Sequence, residues 1–76
     1  MKTLKTPVAL RSAAATYREW AARYDREATA AMVAGNDSKM KALDDLAEAS
    51  RARARLCLRK AEEIEDAAAM TAGEQE

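Results

Sequence analysis

Gly35-Asn36-Asp37-Ser38 is the one cluster of strong helix breakers between Pro7 and Gly73 in this 76-residue chain. On either side of it neither segment contains an interior glycine or proline, and both are rich in alanine, the strongest intrinsic helix former. The cluster therefore predicts a short turn between two long helices. Gly35 suits the left-handed position that ends a first helix, and Asp37 or Ser38 suits the cap of a second. Working outward, Thr6 is a good N-cap and Pro7 fits the first helical position, where its missing N–H costs nothing. The expected organisation is an arm over 1–6, a first helix over about 7–34, a turn at 35–37, a second helix over about 38–70 and a disordered tail over 71–76. A connection this short between helices this long predicts an all-α antiparallel helical hairpin.

The heptad pattern sets the faces. In the first helix Leu10, Tyr17, Tyr24 and Ala31 recur every seven residues, adjoined by Ala13, Ala14, Trp20, Ala21, Ala28 and Met32. The matching stripe of the second is Met40, Leu43, Ala47, Ser50, Ala54, Cys57, Ala61, Ile64 and Ala68, flanked by Leu46 and Leu58. Folding at Asn36 sets Tyr24 opposite Ala47 and Ser50, Tyr17 opposite Ala54, and Leu10 opposite Ala61. Large knobs of the first helix are then expected to enter holes made by small residues of the second. Leu10, Tyr17, Tyr24, Leu43, Leu46, Cys57 and Ile64 are the expected core and dimer residues. The same fold sets acidic residues 62–66 beside Lys2, Lys5 and Arg11, which favours the antiparallel register.

Of the 37 hydrophobic residues, 20 are alanine; the chain has no Phe, one Trp, two Tyr, six Leu, two Val, one Ile and four Met. So few large apolar side chains make a thin core for one small domain. A hairpin also has a single apolar seam, and another layer must cover it. A homodimer closing into a four-helix bundle is the simplest expectation, because a self-complementary patch terminates at two subunits. Met32, Met40 and Met70 read as gap fillers near the bundle ends.

Composition also bounds function. Lys plus Arg and Asp plus Glu number 13 each, so no net field draws the chain to nucleic acid or an acidic membrane. Histidine is absent, which removes the usual general base and metal ligand. The lone Cys57 has no base beside it in the sequence, and the carboxylates lack ligand spacing or a phosphate-binding glycine loop, so neither an enzyme nor a bound cofactor or metal is expected. One cysteine, no signal-peptide core and no apolar run of membrane-spanning length together predict a cytoplasmic protein that does not enter a membrane.

Two features point to partners. The segment Arg51 to Lys60 carries five cations, Arg51, Arg53, Arg55, Arg59 and Lys60. Helical geometry splits them, and flanking acids can neutralise them through Glu48–Arg51 and Arg59–Glu63 pairs, so nucleic-acid contact is disfavoured. Leu56 stands off the main stripe, rimmed by Arg53, Arg59 and Lys60, the composition of a protein-binding anchor. Trp20, at the edge of the aromatic cluster beside Arg23, is a second candidate anchor. The sequence-level expectation is a non-catalytic adaptor or inhibitor that binds itself and an unidentified protein. Its alanine- and arginine-rich brevity suits a phage or mobile-element accessory protein. The alternatives are a dimeric nucleic-acid-binding regulator using Arg51 to Lys60 and a self-assembling structural subunit.

Overall fold

The computed structural model describes residues 6–74. They form two helices, α1 (Pro7–Val33) and α2 (Asp37–Glu74), packed along one another as a hairpin. Thr6 caps α1: its Oγ1 accepts a hydrogen bond from the Ala9 N–H at 3.1 Å, and Pro7 occupies the first turn.

The turn at the centre of the sequence is built almost wholly from backbone. Ala34 is the C-cap of α1, and Gly35 follows at φ 77, the left-handed region. The Gly35 N–H donates to the Met32 carbonyl at 3.0 Å and the Asn36 N–H to the Ala31 carbonyl at 2.9 Å, the paired bonds of a Schellman motif. Asn36 then opens α2, its Oδ1 accepting from the Lys39 N–H at 3.2 Å. Capping therefore falls on Asn36, and not on Asp37 or Ser38, because the glycine bend delivers the chain to helical geometry one residue sooner. Asp37 instead lies in the first turn of α2, where its carboxylate suits the positive end of the helix dipole. No atom lies within 4 Å of a Cβ built on Gly35, so the strain of the left-handed backbone alone penalises a side chain there. Gly35→Ala is expected to lower stability by about 1 kcal/mol with helicity intact, and Gly35→Asn by less, measured by urea unfolding followed by circular dichroism.

α2 continues through residues 71–74, where a disordered tail was expected; residues 75–76, like the arm over 1–5 with Lys2 and Lys5, lie outside the described residues. The extension has a local cause. Ala67, Ala68 and Ala69 favour helix, and the Thr71 hydroxyl is satisfied by the Ala67 carbonyl at 2.9 Å, so one glycine at 73 is not enough to end it.

Packing is closer than knobs of leucine or tyrosine would allow. Among the described residues the buried apolar set is Leu10, Ala14, Ala21, Ala28 and Ala31 of α1 with Ala47, Ala54 and Ala61 of α2; Ser50 is the buried polar residue. Ala14, Ala21 and Ala28 follow one another at intervals of seven, and so do Ala47, Ala54 and Ala61: each helix brings a row of methyl groups to the axis of contact. Tyr17, Tyr24, Leu43, Cys57 and Ile64, expected in the core, are only half-buried, and Leu46 is exposed. Of that set Leu10 alone is enclosed by the hairpin. The physical reason is the second alanine row, on α1, which lets the backbones draw together and leaves the bulky neighbouring positions beside the seam instead of within it.

Ion pairs along one edge fix the register. Arg11 pairs with Glu65, and Arg51 with Asp25 at 3.0 Å. Fourteen residues separate Arg11 from Asp25 on α1 and Arg51 from Glu65 on α2, so both bridges report the same alignment, and the signs are exchanged between them. A parallel or slipped pairing would set like charges together. The Arg11–Glu65 bridge is the expected juxtaposition of Arg11 with the acids of 62–66. The glutamate raises the guanidinium pKa above its ordinary value by hydrogen bonding and by its charge.

Candidate functional site

The side chains outside the alanine seam divide into two contrasting faces. In heptad terms Arg11, Arg18 and Asp25 of α1 and Arg51, Leu58 and Glu65 of α2 flank the seam on the side of the alanine rows. Four of these six are ion-paired, Arg11 with Glu65 and Arg51 with Asp25, whereas Arg18 makes no ion pair within 4.0 Å among the described residues and Leu58 is apolar. Arg51 bonds both Asp25 and Glu48, the latter at 3.4 Å, and Arg55 reaches the other oxygen of Glu48, also at 3.4 Å. Glu48 thus holds two arginines from one turn and two turns earlier in α2. The sequence signals its pairing with Arg51 three residues on, but the grip of Asp25 depends on register and is invisible in a linear reading.

The opposite side is apolar. The half-buried row of Tyr17, Tyr24, Leu43, Cys57 and Ile64 borders it, and the next positions outward include Trp20 and Leu46, exposed by 46% and 47%. Tyr17 and Trp20 stack edge to face with ring centroids 5.8 Å apart. A shallow depression of about 210 Å³ lies between Trp20, Arg23 and Tyr24. The aromatic cluster read from the sequence is therefore a rim feature of the isolated hairpin, with its faces presented outward and not enclosed by α2.

Leu56 lies one step further round α2 and is 59% exposed. Arg53, Arg59 and Lys60 stand three before, three after and four after it, which on a helix makes them its immediate neighbours. Among the described residues none of the three makes an ion pair within 4.0 Å, in contrast to Arg51 and Arg55. The expected Arg59–Glu63 pair does not form there, whereas the expected Glu48–Arg51 pair does. The Arg51 to Lys60 segment is accordingly two surfaces. Arg51 and Arg55 belong to the neutralised edge; Arg53, Arg59 and Lys60 encircle an exposed leucine.

Cys57 is a free, half-buried thiol on the apolar side. Among the described residues no cluster of three His, Cys, Asp or Glu side chains is placed to hold a metal ion, and no helix is long and apolar enough to cross a membrane. Met32 and Met40, expected as gap fillers, line an open groove near the turn with Asp25, Ala28, Thr29 and Asp44. No protein-family model, curated protein or solved structure matches this chain.

Proposed function

We propose that this chain is a non-catalytic binding protein, an adaptor or inhibitor, built as a self-paired helical hairpin that closes into a four-helix bundle and engages a second protein through the Leu56 patch. The observation that carries the reading is the contrast within one helix: Leu56 is exposed among three cations without carboxylate partners, while the arginines one step round are neutralised. An apolar anchor within a ring of basic side chains suits a segment presenting a hydrophobic residue flanked by carboxylates. Leu56 lies outside the rows that border the seam, so pairing of two hairpins leaves it accessible. Cytoplasmic residence accords with a single free thiol.

A nucleic-acid partner is supported less well, because Arg51 and Arg55 are engaged by Asp25 and Glu48 and the remaining cations frame an apolar residue. Affinity capture from host lysate with the wild-type chain and with Leu56→Glu tests the choice. The substitution is expected to abolish retention of the specific partner with the helical circular-dichroism signal unchanged, whereas Val33→Glu, at an 80% exposed position near the turn, retains it. Capture that survives Leu56→Glu overturns the assignment. So does steeply salt-dependent binding of labelled RNA or DNA that is lost on Arg53→Glu and Arg59→Glu.

A further inference from the structure

The hairpin is a single layer. Its extents are 63 × 22 × 14 Å, the thinnest close to one helix diameter. Its radius of gyration of 17.4 Å compares with about 11 Å for a compact domain of this length. The accessible surface is 5952 Å², against about 4600 Å² expected for a folded monomer of 8.3 kDa. That excess, over 1000 Å², exceeds the roughly 800 Å² that each partner gives up in a stable interface. It also coincides with a shortage inside, since Leu10 is the only buried residue larger than serine among the described residues.

One face gathers the aromatic residues and the half-buried apolar row, while Val8, Met32, Val33, Leu56 and Met70 are exposed elsewhere. Trp20 and Leu46 flank the half-buried row of Tyr17, Tyr24, Leu43 and Ile64, on the face turned away from the Arg11–Glu65 and Arg51–Asp25 bridges. Its charges are segregated by helix. At the outward positions α1 supplies Glu27, while α2 supplies Lys39, Arg53 and Lys60. Laying α2 on α2 of another copy would set these cations against one another; laying α1 on α2 stands Trp20 level with Arg53, a favourable cation–aromatic approach, and Glu27 level with Leu46, between Lys39 and Arg53.

We infer that the aromatic face is the dimer interface, covered by a second copy of this chain on a two-fold axis running along the bundle, with α1 of each copy lying over α2 of the other and both turns at the same end. This rests on the proposed self-pairing and specifies the surface and the orientation. Trp20 and Arg53 are then interface residues, which leaves Leu56 with Arg59 as the part of the partner anchor clear of the interface, and Lys60 at its border. A second copy is the fitting occupant because the face offers both Trp20 and the Arg53 that meets it, and because the chain's sparse core requires a cover whenever it is folded.

Sedimentation equilibrium on the full chain tests the face. The wild type and Val33→Glu are expected at twice the 8.3 kDa chain mass at micromolar concentration, and Trp20→Glu combined with Leu46→Glu is expected to weaken association at least a hundredfold. A wild type that is monomeric and folded overturns self-pairing itself. A wild-type dimer that the double substitution leaves intact overturns only the face. For orientation, spin labels at Asn36→Cys in a Cys57→Ala background are expected within about 25 Å of each other, a few interhelical spacings plus the label arms. A separation approaching the 63 Å length of the hairpin would place the turns at opposite ends and overturn the axis.

Discussion

Ala54→Leu is expected to destabilise the folded hairpin by about 3 kcal/mol, the upper part of the range for overpacking a filled interior. Ala54 is 2% exposed and lies in the alanine row of α2 that meets Ala14, Ala21 and Ala28 of α1. Three added heavy atoms at this seam push one backbone away from the other unless they turn out into the open depression of about 240 Å³ that Ala54 borders with Arg18, Arg51 and Arg55, where they displace those arginines. That movement would also lengthen the Arg51–Asp25 bridge and loosen every layer on both sides. Ala47→Leu, at 0% exposure, is expected to behave alike. Ala22→Leu provides the contrast: the position is exposed on α1, the helix propensities are similar, and the change should stay within about 0.5 kcal/mol. Urea unfolding at fixed protein concentration reads all three. Equal midpoints for Ala54→Leu and Ala22→Leu would mean that the seam is not closely packed.

Leu10→Ala is expected to cost about 3 kcal/mol for the opposite reason, since it empties the only large buried position among the described residues. Leu10 is 3% exposed near the start of α1, level with the stretch of α2 around Ala61 and Ile64. The layer has nothing else large to collapse into the space: Ile64 is half-buried and the neighbouring positions are alanines. A small domain lies near the bottom of the usual 5–15 kcal/mol of stability, so this loss is a large part of the whole. It is also expected to act locally, releasing the end of α2. Hydrogen exchange should then show amides of residues 61–71 losing protection while those of 40–50, next to the turn, keep most of theirs. Uniform loss of protection along both helices would show that the Leu10 end does not open separately. Val33→Ala removes a valine that is 80% exposed and should leave stability within about 0.5 kcal/mol.

Most of the architecture is legible in the sequence because its signals are local. Thr6 and Pro7 start α1, Gly35 ends it, and the alanine-rich stretches between breakers contain nothing to interrupt a helix. The second-helix stripe is readable for the same reason: Ala47, Ala54 and Ala61 keep a strict heptad spacing, Ser50 falls between the first two on the same stripe, and these are the residues that α1 covers. Where reading failed, a distance decided the outcome. Periodicity places Tyr17 and Tyr24 on the contact side of α1 but does not say how near the other helix comes. Two facing alanine rows bring it close enough that the tyrosines ride on the edge. The cap at Asn36 illustrates a smaller ambiguity, three successive residues each able to cap, resolved by the exact reach of the Gly35 bend.

The candidate site follows the same division. The exposure of Leu56 could be read from its offset to the stripe, and Glu48–Arg51 from spacing alone. That Arg53, Arg59 and Lys60 remain without carboxylates while Arg51 and Arg55 are engaged could not, because Asp25 enters from the other helix and its partner is set by register. The split matters for function. It separates a neutralised edge from a basic ring around an apolar residue, and the aromatic face from both.

A hairpin whose seam holds alanines and whose larger apolar residues lie mostly outside it should be stable only when doubled. Thermal unfolding followed by circular dichroism over a hundredfold range of protein concentration tests this most directly. A dimer unfolding to two chains gains about 1.4 kcal/mol for each tenfold rise in concentration, so the midpoint is expected to climb steadily across the series. A midpoint that does not move, with a folded mass of 8.3 kDa throughout, would contradict it.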